Sequence, residues 1–124
     1  MSRWAGLVAL EGVATSDGRR ILPDALTWET PLPLMRYGDD GGAAPAGSVE
    51  ALVRVGKKIT ASGDLFGDVA EGESLSIFVD RTDLSRDDSA ADILIVESAR
   101  IRAVYVGAPG GSAWPECKVL EVSP

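Results

Sequence analysis

The sequence contains no histidine and a single cysteine, Cys117. Without imidazole, the side chain that most often serves as a general base near neutral pH is missing. Ser-His-Asp, Cys-His and histidine–metal sites are therefore excluded. One cysteine permits no intrachain disulfide and leaves too few sulfur and nitrogen ligands for a zinc centre, so Cys117 reads as a small buried hydrophobe. Basic residues are scarce: 12 Lys and Arg stand against 19 Asp and Glu, for a net charge of −7. The adjacent basic pairs Arg19-Arg20 and Lys57-Lys58 make no stripe, so nucleic acid is not an expected partner. No apolar run approaches the roughly 20 residues of a membrane helix. The first apolar stretch is broken at Glu11 with no small-residue cleavage site after it, so neither a membrane span nor a signal peptide is expected.

Also missing are a sustained 3.6-residue apolar period, an internal repeat, and the motifs G-x-x-x-x-G-K-[ST], G-x-G-x-x-G and G-x-S-x-G. The nearest approach to a phosphate loop, GAPGGSAW at 107–114, lacks the lysine and a following helix and reads as a turn. What the chain has in quantity is glycine and proline, 14 and 7 in 124 residues. Many turns between short elements follow, as in sandwiches and barrels.

Residues 3–13 read as a first strand, and Asp17-Gly18 as a hairpin turn. ILPDALTW predicts a short extended piece and one turn of helix. Pro31 and Pro33 force an extended path, and GDDGGAAPAG, 38–47, reads as a flexible loop. Residues 48–55 alternate, placing Val49, Ala51, Val53 and Val55 on one face and Glu50 and Arg54 on the other. Residues 58–66 alternate too, with Ile59, Ala61 and Leu65 inward, so a hairpin about Gly56-Lys57 is expected. Leu75, Ile77 and Val79 share a face, 81–91 is loop-like, and 92–106 is a long strand bent near Glu97 and Ser98. CKVLEV closes the sheet. The expected fold is one mainly β domain spanning 1–124: a compact antiparallel, barrel-like sheet of six to eight strands with little helix.

Carboxylates gather at Asp39-Asp40 and at Asp80, Asp83, Asp87, Asp88 and Asp92. Their spacing is not that of a calcium loop, so they read as solvated acidic loops, and no metal or cofactor is expected. Trp4, Trp28 and Trp114 are candidate core anchors. Trp114 lies in a Gly/Pro turn and is equally a candidate partner contact.

DGRRILPDALTWETPLPLMRY, 17–37, resembles the N-terminal part of the prohead (capsid maturation) proteases of tailed actinobacterial phages. The likeness continues through LVALEGVATSDGR, GSVEALVRVGKKITASGDLF, SLSIFVD and VESARIRAVYVGAP. It implies a barrel of that kind, with the family's nucleophilic serine at Ser76. The family's histidine falls in the GDDGG loop, where Asp39 or Asp40 stands instead. A carboxylate is a poor base for a hydroxyl and cannot act as the acid of the second half-reaction. Seven residues, GDVAEGE, stand where the family has a helix, and Pro109-Gly110-Gly111 where it has P-A-F. A Ser-Lys dyad is the other route to catalysis. Of the three lysines, Lys57, Lys58 and Lys118, the first two lie in a hairpin turn.

The resemblance and these departures imply a non-enzymatic, phage capsid-associated decoration or cement protein, a pseudoenzyme with Ser76, Asp39 and Asp40 inactive. The partner implied is the major capsid protein, through candidates Tyr37, Asp39, Asp40, Trp114 and Pro115, with self-association about symmetry axes. The location implied is the virion surface after synthesis in the host cytoplasm. Two alternatives stay open: a divergent prohead serine protease, and an inactive assembly chaperone or scaffold.

Overall fold

The computed structural model describes residues 2–38, 40–86, 93–107 and 112–124. Asp39, residues 87–92 and residues 108–111 lie outside the described residues. The chain is mainly β, with ten strands in one sheet and no helix among the described residues. The strands are β1 (Ser2–Leu10), β2 (Arg19–Ile21), β3 (Leu26–Trp28), β4 (Leu32–Tyr37), β5 (Ala43–Val49), β6 (Ala51–Val55), β7 (Lys58–Leu65), β8 (Leu75–Arg86), β9 (Leu94–Val106) and β10 (Val119–Ser123). The ladder runs β10-β1-β7-β5-β4-β9-β2, with β3 and β8 also on β9 and β6 also on β7.

The count exceeds six to eight because two long paths are each interrupted, one between β3 and β4 and one at Glu50 between β5 and β6. The sheet is also not purely antiparallel. β2, β3 and β4 line up one after another along one side of β9, all parallel to it, while β8 runs antiparallel on the other side. Alternation reports which face a residue takes, not the direction of its neighbour, so this pairing is silent in the sequence. The sheet does not close into a ladder. A single bridge, Ser74↔Lys118, with Leu75 N–H donating to the Cys117 carbonyl, links the start of β8 to the approach to β10.

The inner face carries the core, where Trp4, Leu34, Ile59, Leu75, Ile101 and Val104 are almost wholly buried. Glycine sets the closest approach. A Cβ on Gly63 would fall deep inside contact distance of the Ser48 carbonyl, and one on Gly47 would do the same to Asp64. These two positions let β5 and β7 cross where the chain passes from one partner strand to the next. Trp4 reaches over this corner and donates its indole N–H to the Ser48 carbonyl at 2.9 Å.

Three expectations are corrected. The helical turn after Leu22 is instead a tight turn through Asp24, whose φ is 63°, closed by Ala25 N–H on the Leu22 carbonyl. The loop 38–47 shrinks to a turn at 38–42, because residues from Ala43 onward pair with β4. Residues 81–86, read as loop, continue β8 beyond a bulge in which Arg81 takes φ 50°.

The largest departure in side-chain placement is on β6. Val53 and Val55 are 51% and 69% exposed, while Leu52 is buried and Arg54 points inward. The inversion follows from a carboxylate. Glu11, at the end of β1, is 1% exposed and needs a cation. Arg54 supplies it, with Nε 2.7 Å from Oε1 and Nη2 3.0 Å from Oε2. Nη2 also donates to the Leu26 carbonyl at 2.6 Å, and the guanidinium lies 4.9 Å from the centre of the Trp28 ring. Leu26 N–H returns a bond to Glu11 Oε2 at 3.0 Å. This cluster fills the wedge where β3 and β6 diverge beyond the last β4–β5 pair, Leu32↔Val49.

Candidate functional site

A mainly apolar hollow of about 580 Å³ lies between the hairpin that carries β2 and the free side of β8. Ile21, Ile77, Val79, Val96 and Trp114 give it an apolar lining, and Thr15, Asp17, Arg19, Ser76, Thr82 and Ser112 add polar groups. The hairpin is built by its turn. Thr15 N–H donates to the Arg19 carbonyl, Arg19 N–H donates to Thr15 Oγ, and Gly18 takes φ 83°. Asp17 receives the Thr15 hydroxyl and the Arg19 guanidinium, the latter at 2.7 Å. Those two hydrogen bonds hold its carboxyl below the usual carboxylate range. Asp17 is therefore an ionised, already occupied acceptor rather than a ready base.

Ser76 sits near one end of β8, opposite Tyr105 on β9. Strand alternation turns it away from buried Leu75 and core-packed Ile77, and at the unpaired edge of β8 it still borders the hollow. On the outer face Tyr105 meets Tyr37 with ring centroids 5.1 Å apart, and Phe78 is 56% exposed. Asp40 is not brought to Ser76. It lines a separate hollow with Arg36, Tyr37, Pro45 and Asp68, and its Oδ1 accepts Gly42 N–H at 3.0 Å, which closes the 38–42 turn. The companion candidate Asp39 lies outside the described residues. Lys57 and Lys58 flank the β6–β7 turn, and Lys118 pairs with Ser74 through the backbone with its side chain exposed. Among the described residues no hydrogen bond joins Ser76 to a lysine or a carboxylate, and no group of three His, Cys, Asp or Glu is placed to hold a metal ion.

Trp114, open to two readings as core anchor and as partner contact, takes the first in the structure. It is 3% exposed and donates its indole N–H to the Val13 carbonyl at 2.8 Å, so its polar handle is spent inside the fold. Pro115 beside it is exposed, and Tyr37 is half-buried. Cys117 is buried as expected, and burial pushes its thiol up to about 12. The residues missed in the sequence are Thr15, Asp17 and Arg19, which read there as turn chemistry and, for Arg19, as half of the basic pair Arg19-Arg20. The signal that could have found them is the Thr-x-Asp-Gly-Arg order, which supplies a hydroxyl, a carboxylate and a guanidinium within one tight turn.

Compared with family models, curated proteins and solved structures, the chain matches none.

Proposed function

We propose that the chain is a non-enzymatic structural protein of a bacterial virus head, a decoration or cement protein that binds and stabilises the shell of major capsid protein. The observation that carries this reading is the separation of the two groups that a maturation protease would need together. Ser76 lies at the unpaired edge of β8, while Asp40, at one of the positions where the resemblance places a base, is committed to its own turn in another hollow. The chain has no imidazole to substitute for it. A serine hydroxyl with no base to take its proton is a poor nucleophile, and loss of a triad base costs several orders of magnitude in rate.

The function left to such a domain is binding. Its net charge of −7 keeps it soluble and favours a basic surface on the partner. The β-rich frame is held by long-range pairing and needs no staple, which suits a protein exposed on a particle. The test is quantitative mass spectrometry of purified, washed particles. A decoration protein is present in stoichiometric ratio to the capsid protein, an enzyme in catalytic amounts, and an assembly chaperone only in immature heads. Loss from washed mature particles would overturn the reading.

The divergent protease remains the second reading, because Ser76 does contribute to the lining of the 580 Å³ hollow. Incubating capsid protein with the wild-type chain and with Ser76→Ala separates the two. Cleavage that disappears with the substitution establishes the protease.

A further inference from the structure

The geometry points to the free edge of β8 as the docking site for an extended segment of the partner protein, added as one more strand. The inference rests on the binding role proposed above and assigns a place to it. β8 pairs with β9 on one side only, and among the described residues no backbone hydrogen bond joins 76–86 to any strand but β9. An open edge presents unpaired N–H and C=O groups, which a strand satisfies and a flat apolar surface does not.

The surroundings of this edge fit a strand and little else. On one face lies the apolar hollow, reached by Ile77 and Val79. On the other lies Phe78, 56% exposed, on the side of Tyr105 and its ring partner Tyr37, while Ser76 borders the hollow from the edge between the two faces. Successive side chains of an added strand point to opposite faces. One parity would fill the hollow and the other would cover Phe78, so a single segment accounts for the open edge, the hollow and the exposed aromatic together. The register shift between Phe78 and Val79 places its extra residue, Arg102, on β9 and leaves the alternation of β8 intact, whereas the irregularity between Asp80 and Asp83, with Arg81 at φ 50°, interrupts β8 itself and limits its regular edge to residues 76–79. The occupant is therefore a short extended segment, about five residues long, with apolar side chains on both parities.

The probe is a head shell assembled from the major capsid protein without this chain. Binding is measured for wild type, Phe78→Lys, Thr82→Trp and Val55→Lys, and amide exchange of 76–79 is followed on binding. Phe78, Thr82 and Val55 are all exposed, so the fold tolerates each change. Thr82 borders the hollow, and Val55 lies on β6, which does not pair with β8. The assignment expects slowed exchange at 76–79, at least about tenfold weaker binding for Phe78→Lys and Thr82→Trp, and no change for Val55→Lys. Tight wild-type binding with unprotected 76–79 amides and unaffected variants overturns the docking site and leaves the function standing. No wild-type binding overturns the function and the site with it. A dimer of the chain alone that Phe78→Lys dissolves reassigns the edge to a second copy.

Discussion

Removing Arg54 isolates the charge that, among the described residues, the fold buries most completely. Glu11 is 1% exposed and holds three short bonds, two from Arg54 and one from Leu26 N–H. Arg54→Ala removes both guanidinium bonds and leaves a carboxylate with backbone donors alone. Breaking a fully buried pair in this way costs about 3–5 kcal/mol. The Arg54 side chain retains 27% exposure, so water can reach part of the vacated space. The expected loss is then about 2–4 kcal/mol, a substantial part of the roughly 5–15 kcal/mol that holds a domain together. Glu11→Gln keeps the shape and loses the charge, for about 1–3 kcal/mol. The paired replacement Glu11→Leu with Arg54→Met should recover most of either loss, because no charge is left unmatched. Urea unfolding of the four chains measures the coupling. Single-site effects that simply add, or an Arg54→Ala loss below about 0.5 kcal/mol, would refute the account, since the two residues would then not act as a unit.

The same pair fixes a pH dependence. Burial alone would raise the Glu11 carboxyl. The bonds from Arg54 and Leu26 N–H, with the nearby Asp24 N–H and the Arg54 charge, outweigh it and leave the carboxyl below its ordinary value. A depressed carboxyl stabilises the fold above its unfolded value, near 4.3, and loses that contribution as pH falls through the folded one. The stability gap between wild type and Glu11→Gln should therefore be constant near neutrality and close progressively below about pH 4.

Two further outcomes follow from packing. Gly63→Ala drives a methyl into the Ser48 carbonyl at the β5–β7 corner, and should cost about 1–3 kcal/mol, read as a lowered urea midpoint at unchanged slope. Cys117, buried and with its thiol pushed up to about 12, should resist iodoacetamide at pH 8 in the folded chain and react on unfolding; labelling of the native protein at the rate of a free thiol would contradict its burial.

The sequence made the strands legible where turn chemistry and alternation agree. The Asp17-Gly18 and Gly56-Lys57 turns, the inward set Ile59, Ala61 and Leu65, and the inward set Leu75, Ile77 and Val79 all stand in the fold. It misled where one long-range contact outweighed local pattern. The apolar parity of Val49 through Val55 is continuous in sequence, yet the break at Glu50 and the demand of Glu11 turn Val53 and Val55 outward. Nothing local to β6 announces a carboxylate 43 residues away. The candidate site divides in the same manner. Ser76 is marked in the sequence by the family resemblance and Tyr37 as a candidate partner contact, and each adjoins Tyr105 of β9, but the hollow beside β8 depends on a hairpin whose threonine, aspartate and arginine read locally as a turn.

Two seams interrupt the sheet, and they are sealed by different means. Between β3 and β6 the gap is filled by Arg54 against Glu11, the Leu26 carbonyl and the Trp28 ring, a dense set of charged and backbone bonds. Beyond the start of β8 the gap is crossed by the single Ser74↔Lys118 bridge and its flanking bonds, and from Ser76 onward the strand edge stands open beside the hollow. A seam locked by a buried ion pair has no spare donors to offer and loses stability if it parts. A seam held at one end retains main-chain groups that water satisfies until another strand replaces it. The rigid closure at one seam thus lets the domain keep its core while the other stays open, which is why the proposed docking strand is assigned to β8 and not to β6, even though Val53 and Val55 are as exposed there as Phe78 is on β8.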